Sequence, residues 1–293
     1  MLLAVVRTAF FFPLLCLATA FGPALAQAQA KAQPQPQAQA QALVLAVNEG
    51  VTYRVSNDEI RARWTAVTVD LSKLLGQPVR VEPVGDYPTL RKGLAARAYD
   101  LALVHPAHIS IAAMKDSGYR LVVVTKGFQD YSAKFLVRAD SPLKSLADLS
   151  GRKLGAPDED SITSWMARAA MRDALGGPNP LAKVAFTYTR YQDAVPFMVT
   201  NTFTQAGATA SSAVIKQWLA GGGKVMATSR AVPIKHIIAS STLSAEQVAV
   251  LRDYFVGLDS TEAGRQKLLP MKVQGYATYD TAALMALGVW LGL

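Results

Sequence analysis

Short apolar runs alternate along the chain with segments in which apolar residues recur every three or four positions. Leu43–Val47 is an uninterrupted apolar run of the kind found in buried parallel strands. After Ser56 the apolar residues fall on one face of a predicted helix that ends near Gly76. Two further runs, at 78–82 and 100–104, flank a helix predicted at 87–98. This alternation predicts an α/β lobe built on a parallel sheet, with ligands bound beyond the carboxyl ends of its strands.

A second α/β unit begins after residue 151 and interrupts the first. Its predicted elements are a strand at 152–156, a helix at 161–175 and a strand at 184–188. Later apolar runs lead the chain back to the first unit, so that it crosses between the units near 130–138 and again near 225–235. Two crossings of this kind are the expected hinge of a closing clamp. We expect lobe 1 to comprise residues 43–135 and 230–293, and lobe 2 residues 136–229.

The first 42 residues have the composition of a secretion signal followed by a linker. Arg7 precedes an apolar run, and Ala24-Leu25-Ala26 provides a small-residue cleavage pattern, so residues 1–26 are predicted to be a signal peptide. The run is shorter than the ~20 apolar residues that a membrane span needs, although an uncleaved anchor remains the alternative. The Gln/Ala/Pro tract at 27–42 predicts a disordered leader. Cys16, the only cysteine, lies in the signal; we expect a soluble, thiol-free protein in the periplasm.

Charge narrows the class of partner. The chain has 293 residues, with 30 Lys and Arg against 21 Asp and Glu, and its formal charge of +9 favours anionic partners. It contains no run of five basic residues, so we expect no nucleic-acid binding. It also has no arrangement of serine, histidine and acid, no cysteine in the mature part and no set of metal ligands. We therefore predict neither an enzyme nor a bound cofactor or metal.

Several local motifs together resemble one known family. They are Asp86-Tyr87 before a helix, Tyr99-Asp100-Leu101-Ala102 followed by Pro106, Tyr131 at the start of a strand, and the stretch SLADLSGRKLGAP at 145–157. In this order, from Leu43 to about Tyr279, the chain resembles the phosphate/phosphite/phosphonate-type periplasmic solute-binding proteins of ABC importers. The resemblance implies a type II two-lobe α/β fold, with interrupted parallel-type sheets joined by a two-strand hinge. It also implies a monomer that captures a small oxyanion or phosphonate-like solute and delivers it to an ABC permease in the inner membrane. An extracytoplasmic ligand-sensing partner of a membrane receptor is the alternative function.

Three substitutions depart from the family pattern. The family's Ser-Thr-Ser-Gly-Tyr turn is here the segment 161–165, Ser-Ile-Thr-Ser-Trp; Gln192 stands where the family has a histidine; and Gln205 stands where it has a ligand-facing acid. An amide in place of a carboxylate predicts a ligand without a cationic amine. Asp160, directly before the turn, would compete with an anionic ligand.

The segment 161–164 begins a predicted helix, where unpaired backbone N–H groups and hydroxyls form an anion cradle; an ordinary helix cap is the alternative. His105 and His108 follow the third strand, and anion contact, a structural role and metal binding all remain open for them. Arg190 either binds the ligand's acid group or points to solvent. The full set of candidate ligand contacts is Tyr53, Tyr87, His105, His108, Tyr131, Ser161, Thr163, Ser164, Gln192 and Gln205.

Overall fold

The apolar runs of the sequence form the strands of two separate sheets. The computed structural model describes residues 41–49 and 55–293. The predicted signal at 1–26, nearly all of the predicted leader at 27–42 and Tyr53 lie outside the described residues. The strands are β1 (Leu43–Val47), β2 (Val79–Pro83), β3 (Leu101–Val104), β4 (Arg120–Thr125), β5 (Lys134–Val137), β6 (Arg152–Ala156), β7 (Val184–Tyr188), β8 (Ala206–Thr209), β9 (Lys224–Thr228), β10 (His236–Ala239) and β11 (Tyr276–Ala277).

Helices pack on both faces of the sheets. They are α1 (Asn57–Leu75), α2 (Tyr87–Ala95), α3 (Ala107–Asp116), α4 (Ile162–Leu175), α5 (Val195–Thr200), α6 (Ser212–Ala220), α7 (Ala245–Gly257), α8 (Glu262–Met271) and α9 (Thr281–Leu291). The Ser56 hydroxyl caps α1, and Gly76 ends it in the left-handed conformation with φ of 67°, as the sequence predicts. None of these helices combines the length and apolar character that a bilayer-spanning segment requires.

Both sheets are mixed, with parallel and antiparallel pairs. The first has the order β11-β4-β10-β3-β1-β2, and the second the order β7-β6-β8-β5-β9. In the first sheet β1 pairs in parallel with β2 and β3, whereas β10 lies antiparallel between β3 and β4. The strand β10 arrives from the second sheet through a short extended segment instead of a crossover helix, so it runs in the opposite direction.

Two extended segments join the sheets, between β4 and β5 and between β9 and β10. They pair with each other: Val232 N donates to Tyr131 O at 2.8 Å, and Ile234 N donates to Phe128 O at 3.0 Å. The strands of the first sheet therefore come from both ends of the folded chain and those of the second from its middle, in the interrupted order that the sequence predicts. The exact lobe limits, 43–135 with 230–293 and 136–229, stay a prediction.

The C-terminal helix α9 contacts elements on both sides of this junction. It packs against α3, which follows a strand of the first sheet, and against α4, which follows a strand of the second. Trp290 Nε1 donates to Asp173 Oδ2 at 2.8 Å, and Arg172 donates to Trp290 O at 2.7 Å. The end of the chain therefore packs on the second unit as well as on the first.

Candidate functional site

A small cavity of about 100 Å³ lies where the carboxyl-end loops of the two sheets meet. Its lining residues are Tyr87, His105, Phe128, Tyr131, Pro157, Asp158, Ser161, Ile162, Thr163, Arg190, Gln192, Ile234 and Lys235. Six of the predicted ligand contacts are thus brought to one cavity from α2, the loop after β3, the first crossing segment, the start of α4 and the loop after β7. Because sites for drug-sized ligands occupy about 300–1,000 Å³, this cavity is suited to a solute of only a few non-hydrogen atoms.

The start of α4 supplies hydrogen-bond donors to this cavity. Ser161 is the N-cap residue, and its Oγ accepts a hydrogen bond from Ser164 N at 3.2 Å. The backbone N–H groups of Ile162 and Thr163, both residues of the cavity wall, have no acceptor within the described chain. Two free amide donors, together with the positive end of a 14-residue helix, favour a negatively charged group at this position.

Gln192 orients Tyr131 toward the same donors. The Gln192 Oε1 atom accepts from Ala210 N at 2.7 Å and from Thr209 Oγ1 at 3.0 Å, which fixes the amide at the carboxyl end of β8. Its Nε2 then donates to the Tyr131 hydroxyl at 3.1 Å. The Tyr131 oxygen lies 3.5 Å from Thr163 Oγ1. Since Tyr131 accepts from Gln192, its own hydroxyl proton is available to donate to an oxyanion.

Asp160 does not compete with an anion in the way that its sequence position suggested. Its carboxylate accepts two hydrogen bonds from the Arg91 guanidinium, at 2.6 and 2.7 Å, and lies 3.2 Å from His108 Nε2. Trp165 Nε1 donates to it at 3.3 Å. Burial tends to raise the pKa of Asp160, but the hydrogen bonds from His108 and Arg91 outweigh this and hold the pKa well below its ordinary value. Its negative charge is therefore neutralised beside the cradle.

His105 and Lys235 form the wall on the side of the first sheet. Burial lowers the pKa of His105 to about 3, so the ring is neutral at physiological pH, and its Nδ1 is buried with no hydrogen-bond partner within the described residues. The Lys235 ammonium lies 4.3 Å from the centroid of the Phe128 ring. Burial lowers the pKa of Lys235 below its ordinary value, while the charge of Glu49 acts in the opposite direction.

The side chains of three predicted contacts do not line this cavity, and a role for them in ligand binding stays a prediction. His108 is buried on α3, where it stacks on Trp165 with ring centroids 4.7 Å apart. The Ser164 hydroxyl is fully buried and donates to Pro157 O at 3.0 Å. Gln205 is exposed at the amino end of β8, and its Oε1 accepts from Lys153 N at 2.9 Å. The parallel pairing of β8 with β6 places Gln205 at the sheet edge away from the cavity.

The sequence prediction missed Phe128, Pro157, Asp158, Ile234 and Lys235, and it left Arg190 undecided. Lys235 lies at the end of the predicted hinge segment near 225–235, which is the one available signal. Arg190 lies at the exposed rim, with its guanidinium carbon 5.2 Å from the centroid of the Tyr191 ring. No group of three or more His, Cys, Asp or Glu side chains within residues 41–49 and 55–293 is placed to hold a metal ion.

Comparisons with known proteins agree with this arrangement. The family model described as ABC transporter, phosphonate, periplasmic substrate-binding protein matches residues 50–284. No curated protein matches the chain by sequence.

Solved structures share the fold at low sequence identity. A Xanthomonas citri protein, XAC2383, in a complex with ATP superposes with a TM-score of 0.67 at 14% identity, over 85% of this chain and 96% of its own. PhnD1 from Prochlorococcus marinus in complex with methylphosphonate superposes with a TM-score of 0.60 at 14% identity, over 85% of this chain and 96% of its own. A binding protein component of an ABC phosphonate transporter from Pseudomonas aeruginosa superposes with a TM-score of 0.57 at 16% identity, over 86% of this chain and 85% of its own. These likenesses confirm the predicted two-lobe α/β fold.

Proposed function

This chain belongs to the phosphonate periplasmic substrate-binding proteins of ABC transporters, and from that premise we propose that its cavity captures a small oxyanion or phosphonate-like solute. Members of the family are substrate-binding components that bind small solutes for an ABC permease. The ligand class and the residues that hold it are the parts that the proposal adds for this chain.

The amide donors at the start of α4 carry the proposal. Within the described part of the chain, Ile162 N and Thr163 N have no acceptor, and the Thr163 and Tyr131 hydroxyls lie beside them at the wall of one small cavity. Buried polar groups normally find partners, so donors left open at a cavity favour an acceptor that arrives from outside. An oxyanion supplies several acceptor atoms in a volume that fits about 100 Å³.

Capture is proposed to involve both sheets. Tyr87, His105 and Lys235 reach the cavity from elements of the first sheet, whereas Ser161, Thr163 and Gln192 reach it from elements of the second. A solute that contacts both sets binds better when the two halves are close together, and so it shifts the population toward a closed form. The paired crossing segments at Tyr131 and Val232 are the proposed hinge. We further propose a periplasmic monomer that docks on an inner-membrane permease without catalysing a reaction.

A thermal-shift screen tests the proposal. Phosphate, phosphite, sulfate, methylphosphonate and acetate are added singly to the purified protein, and a solute at ~100 times its Kd should stabilise the fold by about 2.7 kcal/mol. The variant Thr163→Ala should keep its unliganded melting temperature within a few degrees and lose most of the ligand-induced shift. Thr65→Ala is the matched control, because Thr65 lies on the exposed face of α1 and its hydroxyl donates only to Arg61 O.

The proposal is wrong if no oxyanion shifts the melting temperature. It is also wrong if Thr163→Ala responds to the same solute as strongly as Thr65→Ala does, because the donors at the start of α4 would then not hold the ligand.

A further inference from the structure

Lys235 brings an ammonium group to the cavity on a structurally fixed strand end. It directly precedes β10, whose first residue, His236, pairs with Val104 at the carboxyl end of β3. Because β10 runs antiparallel to β3, its start lies at the same sheet edge as the end of β3. The Lys235 carbonyl accepts a hydrogen bond from Thr125 N at 3.0 Å, which ties this point to β4 as well. The backbone position from which the Lys235 side chain extends is therefore set by the sheet.

The charges around the cavity favour an anion. Among the described residues, Lys235 and Arg190 are the cationic side chains of its wall, and Asp158 is the acidic one. Asp158 is exposed, and its Oδ1 already accepts the backbone N–H of Asp160 at 2.9 Å. Glu49, the acid whose charge acts on Lys235, accepts a hydrogen bond from Arg63 at 2.9 Å. Neither carboxylate is thus available as a full counter-charge to a solute's cation.

Burial gives the Lys235 charge a large effect on what can share the cavity. Lys235 is partly buried, so its ammonium group has lost part of its hydration, and this burial lowers its pKa. An anion placed in the cavity restores that lost stabilisation, and a second cation adds repulsion that little water is present to screen. The contact with the Phe128 ring holds the ammonium group at this wall in the unliganded protein.

We propose that Lys235 determines the charge selectivity of this site, so that compact oxyanions bind and solutes that also carry an ammonium group are rejected. The inference rests on the proposed function and deepens it. Sequence reasoning reached a similar expectation from Gln205, but Gln205 lies away from the cavity. The structure supplies a different basis for rejecting an ammonium group: the cation Lys235 on the cavity wall, and not the replacement of the family's acid by Gln205.

Isothermal titration calorimetry with three phosphonates separates charge from size. Methylphosphonate is the compact probe, 2-aminoethylphosphonate carries the ammonium group, and propylphosphonate matches the latter in length without the charge. We expect the wild-type protein, at about pH 8, to bind propylphosphonate at least about tenfold more tightly than 2-aminoethylphosphonate. Lys235→Gln should weaken methylphosphonate binding about tenfold or more and reduce the discrimination between the two longer solutes to about threefold or less.

Two variants serve as controls. Lys235→Arg keeps the positive charge and should retain both affinity and discrimination, which distinguishes a loss of charge from a loss of packing. Lys144→Gln removes one positive charge from an exposed surface position and should behave like the wild type. Unliganded melting temperatures of all variants show whether each has folded.

The outcomes separate this inference from the proposed function. If the wild-type protein binds none of the three phosphonates, the inference fails, and the proposed function fails with it only when no oxyanion in the thermal-shift screen stabilises the protein. If it binds them through Thr163 but Lys235→Gln binds methylphosphonate like Lys144→Gln, the proposed function stands and the inference is overturned. Where both longer solutes bind too weakly to measure, the effect of Lys235→Gln on methylphosphonate decides. The inference is also overturned if the wild-type protein binds propylphosphonate and 2-aminoethylphosphonate equally well.

Discussion

Arg91 and Asp160 form a bidentate ion pair between elements of the two different sheets, with N–O distances of 2.6 and 2.7 Å. Arg91 lies on α2, which follows the first sheet's β2, and Asp160 lies directly before the cap of α4, which follows the second sheet's β6. His108 contacts the same carboxylate from α3. The pair therefore joins the two halves beside the proposed ligand and also removes a free negative charge from the cradle.

Arg91→Gln is expected to weaken anion binding by about tenfold, since a bare carboxylate beside Ser161 would repel the ligand and the cross-sheet contact would be lost. Titration calorimetry with methylphosphonate measures the change. Arg61→Gln, which removes an exposed i,i+3 partner of Asp58, is the control and should leave Kd unchanged. In Arg91→Gln combined with Asp160→Asn, part of the affinity should return; no recovery would show that the repulsion is unimportant.

Local sequence signals were sufficient for the capped start of α4 and for most of the fold. A hydroxyl followed by a helical pattern is recognisable within a few residues, and Ser161 indeed caps α4. The strands β1, β6 and β7 have the predicted bounds. Tyr131 and Gln192 were placed at the site through the family resemblance. Their mutual hydrogen bond, which explains why an amide suits position 192, is visible only in three dimensions.

The failures arose where strand direction or a long-range partner decides the role of a residue. Gln205 directly precedes β8, which is parallel to β6, so it lies at the opposite sheet edge from Pro157. Lys235 directly precedes β10, which is antiparallel to β3, so it lies at the sheet edge that faces the cavity. The pattern of apolar residues in the sequence is the same for a parallel and for an antiparallel strand. The role of Asp160 depended on Arg91, a partner 69 positions away in the sequence.

Asp160 should make stability depend on pH in the acidic range. The pKa of Asp160 in the folded protein lies below the value of about 3.9 for an unfolded chain. Its contribution to the free energy of unfolding is therefore complete above about pH 3.9 and is lost as the pH falls through the folded pKa. Asp160→Asn should therefore be less stable than the wild type at about pH 7, and the difference should shrink toward about pH 3. Urea denaturation at both pH values measures it.

Asp58→Asn is the control for this comparison, because the Asp58 side chain is 97% exposed. It should match the wild type at both pH values. A difference between Asp160→Asn and the wild type that stays constant down to about pH 3 would contradict the assigned role of the Asp160 charge.

The buried histidines predict a second, separate pH dependence. Burial lowers the pKa of His105 to about 3 and that of His236 to about 4, whereas an unfolded histidine titrates near 6.5. Between these values the unfolded chain binds more protons, so stability falls as the pH drops below about 6.5, by up to about 1.4 kcal/mol per pH unit for each histidine. His105→Gln should reduce the slope of unfolding free energy between about pH 5 and 6 by one such contribution. An unchanged slope would mean that His105 is protonated in the folded protein.

Lys235 predicts a loss of anion binding at alkaline pH. Burial lowers the pKa of Lys235 below the value of about 10.4 for an exposed lysine, so its ammonium group loses its proton at a lower pH. The other charged groups that face Lys235 are Glu49, Asp158 and Arg190. His105 stays neutral over this range, and the phosphonate remains a dianion. Methylphosphonate affinity should fall by up to about tenfold per pH unit once the pH exceeds the pKa of Lys235 in the unliganded protein. Lys235→Arg cannot lose its charge, so its affinity should stay flat where that of the wild type declines. Parallel decline in both proteins would show that the effect does not come from Lys235.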